Sequence, residues 1–260
     1  MAPAVETPPP YPFRLLESGC HDGYYNMGLD EALLESAARG GTPCLRLYGW
    51  KPPAVSIGYF QGLHEEVDLD ACKKHGVDVV RRISGGGAVF HQAELTYSII
   101  MPVTHPLAQQ DFNDFYIRFC GGIIEGLKLL GLDARFAPIN DVLVGGRKIS
   151  GNAQTRRMGC ILQHGTVLLD NDVDLMFELL QVPAEKLKGK LIEDVKSRVT
   201  SLRAEGLNIS FDKAAASLAE GFRRILNLSL NPETPNAAEE ARTKELAAEK
   251  FGSEEWLFKR

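Results

Sequence analysis

Three consecutive glycines, Gly85-Gly86-Gly87, separate a strand-like run from the apolar segment that follows, and no other stretch limits the possible folds as strongly. With no Cβ over three residues, the backbone can approach a ligand closely and take positive φ. Val77-Asp78-Val79-Val80 alternates as a strand does, and Ala88-Val89-Phe90 resumes the apolar pattern. The glycines therefore read as a strand-to-strand turn facing a ligand. Two better-known glycine loops are excluded. A GxxxxGK loop needs a hydroxyl residue after its lysine, and a dinucleotide fingerprint needs GxGxxG opening a helix. Here the run is flanked by Arg81-Arg82 and by His91.

Around it the apolar spacing predicts a mixed order of elements. Tyr25, Leu29, Ala32, Leu33 and Ala37 recur at helical spacing over 22–38, which predicts a buried, amphipathic first helix stopped by Gly40-Gly41. Strands follow at 44–48 and 54–59, a helix at 68–75, and a further strand at 95–101 ending at Pro102. Positions 113–130 carry Phe115, Phe119, Ile123, Ile124, Leu127 and Leu130 on one side, the pattern of a core-packed helix. Asp141-Val142-Leu143-Val144, Gly145-Gly146 and Arg147-Lys148-Ile149-Ser150 read as a hairpin with a primed turn, placing Lys148 early in the returning strand. Another strand is expected at 161–169, and helices at 175–180, 211–226 and 237–250, the last two separated by the loop Asn231-Pro232-Glu233-Thr234-Pro235. Sheet-forming sequence fills the first two-thirds and helix the last third, without regular alternation. That favours an α+β fold over a doubly wound one.

With 260 residues and 44% hydrophobic content the chain can bury one large core. Residues 1–12, with Pro8-Pro9-Pro10, read as a disordered leader and not a signal peptide; 13–260 form the expected folded domain. The net charge of −5 gives no global field for nucleic acid or an anionic membrane, so anion chemistry must rest on a local basic cluster. No window approaches a membrane span. Five cysteines with no CxxC pair argue against a disulfide framework or a zinc knuckle, and a reducing, cytoplasmic setting is expected.

Both informative blocks combine cations (Arg81, Arg82, Lys148, Arg156, Arg157), permissive glycines and single polar groups among apolar residues (Ser84, His91, Asn152, His164). Glycine amides with a fixed cation make an anion cradle. Lys148, a compact charge on a strand, is the expected catalytic group. The competing chemistry is a cysteine nucleophile. Cys160, close in sequence to Arg156, Arg157 and His164, is the candidate thiol.

Five stretches occur in order: Asn26-Met27-Gly28-Leu29-Asp30-Glu31-Ala32-Leu33-Leu34, Arg81 to His91, Asn140 to Val144, Arg147 to Gln154 and Leu162 to Thr166. In these the chain resembles the lipoate-protein ligase A and octanoyltransferase family, over nearly its whole length. The resemblance implies mixed β-sheets flanked by helices, similar to the catalytic domains of biotin ligases and class II aminoacyl-tRNA synthetases. Family ligases activate lipoate with ATP and Mg²⁺ to lipoyl-AMP and pass the acyl group to a lysine of lipoyl-domain proteins, such as glycine cleavage H protein and 2-oxoacid dehydrogenase E2 subunits. By motif match, Arg82, Ser84, Gly86, Gly87 and His91 would border the acyl chain and the adenylate phosphate, and Lys148 would contact their junction. Asn140 and Asp141 would lie on the nucleotide side, Asp141 as a metal ligand. Gly151, His164 and Gly165 would line the pocket.

Cysteine-dependent octanoyltransferases of this family carry their nucleophile shortly before the motif lysine, and residues 133–147 contain no cysteine. The expectation is therefore an ATP-dependent lipoate ligase, with a separate accessory polypeptide because the chain ends soon after Trp256. The alternative is an octanoyl or lipoyl transferase drawing on acyl-carrier protein or another lipoyl protein, with Cys160 as its stand-in nucleophile.

Overall fold

The computed structural model describes residues 9–109, 111–181 and 188–259. β1 (Tyr11–His21) leads into α1 (Gly23–Ala38), β2 (Cys44–Trp50) and β3 (Ala54–Ile57). Two short helices, α2 (Leu63–Glu66) and α3 (Leu69–His75), precede β4 (Asp78–Arg81), β5 (Val89–His91) and β6 (Glu94–Pro102). The long α4 (Phe112–Leu129) is followed by β7 (Ala134–Ala137), β8 (Asp141–Val144), β9 (Arg147–Arg157) and β10 (Cys160–Leu168). The last third holds α5 (Val173–Leu179), α6 (Lys188–Arg198), α7 (Phe211–Leu226), β11 (Leu228–Glu233), α8 (Ala237–Leu246), a π-helical turn (Ala247–Phe251) and α9 (Glu254–Leu257).

The strands form two sheets, one of eight strands in the order β11-β1-β2-β6-β10-β9-β8-β7 and one of three in the order β4-β3-β5. β1 pairs parallel with both its neighbours, and the rest of the large sheet is antiparallel. One face of the large sheet packs Phe13, Leu47, Tyr97 and Ile161 against Phe119 of α4 and Phe222 of α7. The opposite face packs Leu16, Tyr48 and Leu162 against α1. The small sheet has its own core, in which Val55 and Val79 meet Leu63, Cys72 and Leu179. This is the expected α+β class. Among the described residues no helix is long and apolar enough to cross a membrane.

Several expectations are corrected. Tyr11 and Pro12 begin β1 instead of closing a leader; Met1 to Pro8 lie outside the described residues. Pro12 is tolerated because β2 joins β1 only from Arg14 onward, so its missing N–H faces no strand there. The loop expected at 231–235 is strand up to Glu233, and Pro232 fits because β11 is an edge strand. The first helix is not amphipathic. It lies between the large sheet and α8, and buries Asn26, Asp30 and Glu31 as well as its apolar residues. The glycine run does link two strands, but β4 and β5 are not neighbours: the link crosses the end of β3, which lies between them.

Candidate active site

A cavity of about 330 Å³ opens between the two sheets. Its floor follows one registered row across the large sheet, Tyr48 opposite Thr96, Thr96 opposite Thr166, and Thr166 opposite Gly151. Three strand spacings separate the ends of that row, about 14 Å. Met27 of α1, Trp50, Phe90 and Leu168 make much of the wall apolar. A wider depression of about 630 Å³ lies beside it, but its charged residues are already engaged, Asp174 with Lys196 and Arg147 with Glu205. The narrower cavity is the one that gathers the residues singled out by sequence.

Arg82, Gly86, Gly87 and His91 reach it from the small sheet, and Asn140, Lys148, Gly151, His164 and Gly165 from the large one. The two remaining candidates stand one bond behind. Ser84 Oγ lies 2.6 Å from His164 Nε2, and Asp141 Oδ1 lies 2.7 Å from Lys148 Nζ. Cys160 is not brought to the cavity. It is 1% exposed at the start of β10 in the apolar core under α1, and burial raises its thiol pKa. Such a thiol is a poor nucleophile.

The glycine loop is braced from beneath. Arg82 is 5% exposed and donates to the carbonyls of Gly85 at 2.8 Å and Gly87 at 2.7 Å, and to Ser56 O at 2.9 Å. Desolvation lowers its pKa to about 10, which leaves it a cation at neutral pH. In a trans peptide the N–H lies anti to the preceding carbonyl, so the amides of Gly86 and Ala88 are held on the side away from the guanidinium. Only Gly86 of the three glycines has positive φ, +99°. A Cβ there would also lie 2.9 Å from Arg82 Nη2.

Two buried chains of polar groups fix the histidines. His91 bonds Ser56 Oγ through Nε2 at 2.7 Å and Glu94 Oε1 through Nδ1 at 2.6 Å, while its ring stacks on Trp50 at 4.0 Å. Thr96 Oγ1 donates to the same Glu94 oxygen and accepts from Trp50 Nε1. His164 Nδ1 faces Asp30 Oδ2 at 3.4 Å. Asp30 also accepts from Ser98 and Tyr48 and pairs with the fully buried Arg46 at 2.7 Å. Burial pushes the Asp30 carboxyl up, but Arg46, His164 and Ser98 together outweigh it and hold the group below its ordinary value. Sequence reading gave no role to Asp30, Arg46, Ser56 or Glu94. The available signal was the adjacent carboxylates Asp30 and Glu31 inside the otherwise apolar Met27-Gly28-Leu29-Asp30-Glu31-Ala32-Leu33 run.

Asn140, in the turn just before β8, and Asn152 of β9 exchange side-chain to backbone bonds, Nδ2 of each donating to the carbonyl of the other. Tyr97 donates to Asn152 Oδ1 at 2.7 Å. That lattice holds the strand from which Lys148 projects, its side chain 43% exposed. The donor set does not fit the expected Mg²⁺ at Asp141. Its Oδ1 is occupied by the Lys148 ammonium, and among the described residues no three His, Cys, Asp or Glu side chains converge as metal ligands.

With this geometry established, comparison with known proteins places the chain among acyl-handling enzymes. A model of the lipoyl protein ligase A/B catalytic domain matches residues 22–223. The octanoyltransferase LipM of Geobacillus kaustophilus is 40% identical over 95% of this chain and 98% of its own, and that of Bacillus subtilis 35% identical over the same shares. Among solved structures, a bipartite lipoate protein ligase from Thermoplasma acidophilum superposes with a TM-score of 0.87 at 32% identity, covering 95% of this chain and 96% of its own. A lipoate-protein ligase A bound with ATP gives 0.82 at 31% identity, covering 95% and 98%. The octanoyltransferase relatives overturn the expectation of ATP-dependent lipoate activation.

Proposed function

The chain belongs to the lipoyl protein ligase A/B catalytic-domain family, and within it we propose that this enzyme is an octanoyltransferase, moving an octanoyl group from the thioester of acyl-carrier protein to a lysine of a lipoyl domain. The observation that carries the proposal is the end-to-end similarity to octanoyltransferases, up to 40% identity over 95% of the chain. The cavity suits this substrate. An unbranched acyl chain fits an apolar slot about 14 Å long across four strands, its carbonyl at the Lys148 end.

No cysteine lines the cavity among the described residues, so transfer runs without a protein thioester. The acceptor amine attacks the thioester carbonyl, and the carbonyl oxygen gains negative charge. Lys148 and the amides of the glycine loop stabilise that oxyanion. On collapse the C–N bond is complete, the C–S bond breaks, and the carrier thiolate takes the proton shed by the amine. An amide is more stable than a thioester, so the step needs no nucleotide. The arrangement tests directly by thiol release. Octanoyl-acyl-carrier protein should release free thiol only when an apo lipoyl domain is added, one per acceptor modified, and nucleotide depletion should leave the rate unchanged. Thiol release that requires ATP would defeat the proposal.

A further inference from the structure

One corner of the surface, outside the cavity, collects aromatic side chains and cations. Phe60 is 64% exposed, Met158 49% and Phe258 40%. Tyr59 packs edge-on against Phe60, with the Arg157 guanidinium 4.5 Å from its ring centroid. Lys259 Nζ lies 2.8 Å from the Tyr59 hydroxyl and 4.9 Å from the Trp256 ring centroid. Arg157 and Lys259 thus set their charge against the Tyr59 ring, and among the described residues neither forms an ion pair with a carboxylate, although exposed Glu254 and Glu255 flank Trp256 in α9. These two cations stand on a chain whose net charge is −5, while Arg156 lies on the other face of β9, donating to Gln154.

The corner is fastened to the site. Buried Arg81 donates to the carbonyls of Gln61 at 2.6 Å and Leu257 at 2.8 Å, tying the Tyr59–Phe60 loop and the C-terminal helix α9 to the strand that enters the glycine loop. Trp256 Nε1 returns a bond to Arg81 O at 2.8 Å. Gly58 lies directly against Gly86, since a Cβ at Gly58 would overlap Gly86 O. The Phe60 ring stands 4.0 Å from a Cβ built at Gly85. A second link runs along β9. Gly151 and Ala153 line the cavity, and the same face continues through Thr155 to Arg157, partly exposed all the way. Six residues of extended strand span about 20 Å.

We infer that this corner seats the acyl donor, an acidic carrier protein whose thioester-bearing arm lies along β9 into the cavity. The inference rests on the transferase reading above and adds where its donor docks. Charge selects an acidic partner, and exposed aromatics are the anchors that protein interfaces favour. Reach selects the donor over the acceptor. A lysine side chain extends roughly 6 Å from its Cα, counting its bonds, so an acceptor domain seated at Arg157 could not bring its amine to Lys148. An acyl group on a long flexible prosthetic arm could cross that span.

The test compares wild type with Arg157→Glu/Lys259→Glu and, separately, Phe60→Ser. Each is assayed with octanoyl-acyl-carrier protein and with octanoyl-pantetheine, which has the thioester but no protein. The expected result is a KM for the carrier raised roughly tenfold or more, with kcat, the KM for the lipoyl domain and the kcat/KM for octanoyl-pantetheine all within about twofold of wild type. Raised salt should weaken carrier use by wild type and leave the charge-reversed variant little changed. An unchanged carrier KM overturns the inference. So does a raised KM for the lipoyl domain instead, or an equal fall with both donors. Wild-type turnover of octanoyl-pantetheine separately establishes the transferase reading, and failure with both donors in wild type would remove reading and docking site together.

Discussion

The ammonium of Lys148 occupies the space that a side chain at Gly151 would need: a Cβ built there would lie 2.9 Å from both Lys148 Nζ and Cε, and 3.7 Å from Asp141 Oδ1. The lysine therefore curls back over its own strand, and Asp141 on the neighbouring strand receives its charge at 2.7 Å. The glycine three residues on is part of what aims the lysine.

Gly151→Ala should therefore displace the amine without disturbing the sheet. The clash falls on a flexible side-chain end, so the melting temperature should move by less than about 3 °C, corresponding to under about 1 kcal/mol for a domain of this size. Transfer should fall roughly tenfold or more, about 1.4 kcal/mol of transition-state stabilisation. Steady-state rates beside a thermal melt check both, and an unchanged rate would show that the position of Lys148 does not matter.

Lys148→Ala should nearly abolish transfer, by about 10²–10³-fold if the ammonium acts as an oxyanion donor. Its ion pair with Asp141 is partly exposed, with side chains 43% and 29% accessible, so stability should change by no more than about 1 kcal/mol. Circular dichroism and single-turnover kinetics on the same preparation separate the two effects. Wild-type turnover in this variant would remove Lys148 from the mechanism.

Cys160→Ser should leave kcat unchanged and lower stability by about 1–3 kcal/mol, because it places a hydroxyl in an apolar core. Intact mass of the enzyme incubated with octanoyl-acyl-carrier protein alone should show no octanoyl adduct, and initial rates should follow a sequential pattern rather than ping-pong. A trapped octanoyl-enzyme on any cysteine would replace direct aminolysis by a covalent route.

Asp30 ties stability to acid. Its native pKa lies below the ordinary value because Arg46, His164 and Ser98 outweigh the effect of burial. The carboxylate is thus favoured in the folded state. Its contribution is fully present above the unfolded value of about 4 and is lost as pH falls through the lower native value. Urea midpoints measured from pH 7 down to pH 3 should fall for wild type and fall less steeply for Asp30→Asn. At pH 7 the variant should already be weaker by about 3–5 kcal/mol, since fully buried Arg46 loses its counter-charge. Parallel pH profiles in the two proteins would contradict this account.

How far the sequence reached depended on whether a residue's role was local. The glycine run, the Asp141–Ser150 hairpin and the helix at 211–226 were legible because turn chemistry and apolar period act over a few residues. β1 and β11 were not, since Pro12 and Pro232 break the strand pattern and are tolerated only at a strand start and a sheet edge. Nine candidate residues line the cavity, with Ser84 and Asp141 just behind them, and the family motifs that named them state which types occur but not which are paired. The Asp30–Arg46 and His91–Glu94 partnerships join α1 to β2 and the small sheet to β6, contacts that no spacing along the chain announces. Cys160 failed because burial, which spacing does not report, decides its reactivity: Arg157 does stand opposite it across β9 and β10, yet the thiol is 1% exposed in the core cluster under α1 and its pKa is raised.

The most direct test is the intact mass of an apo lipoyl domain incubated with this enzyme under two conditions. One supplies octanoyl-acyl-carrier protein with nucleotide and divalent cations removed; the other supplies free octanoate with ATP and Mg²⁺. The account predicts a mass gain of one octanoyl group per domain in the first, abolished by Lys148→Ala. A gain confined to the second would contradict it.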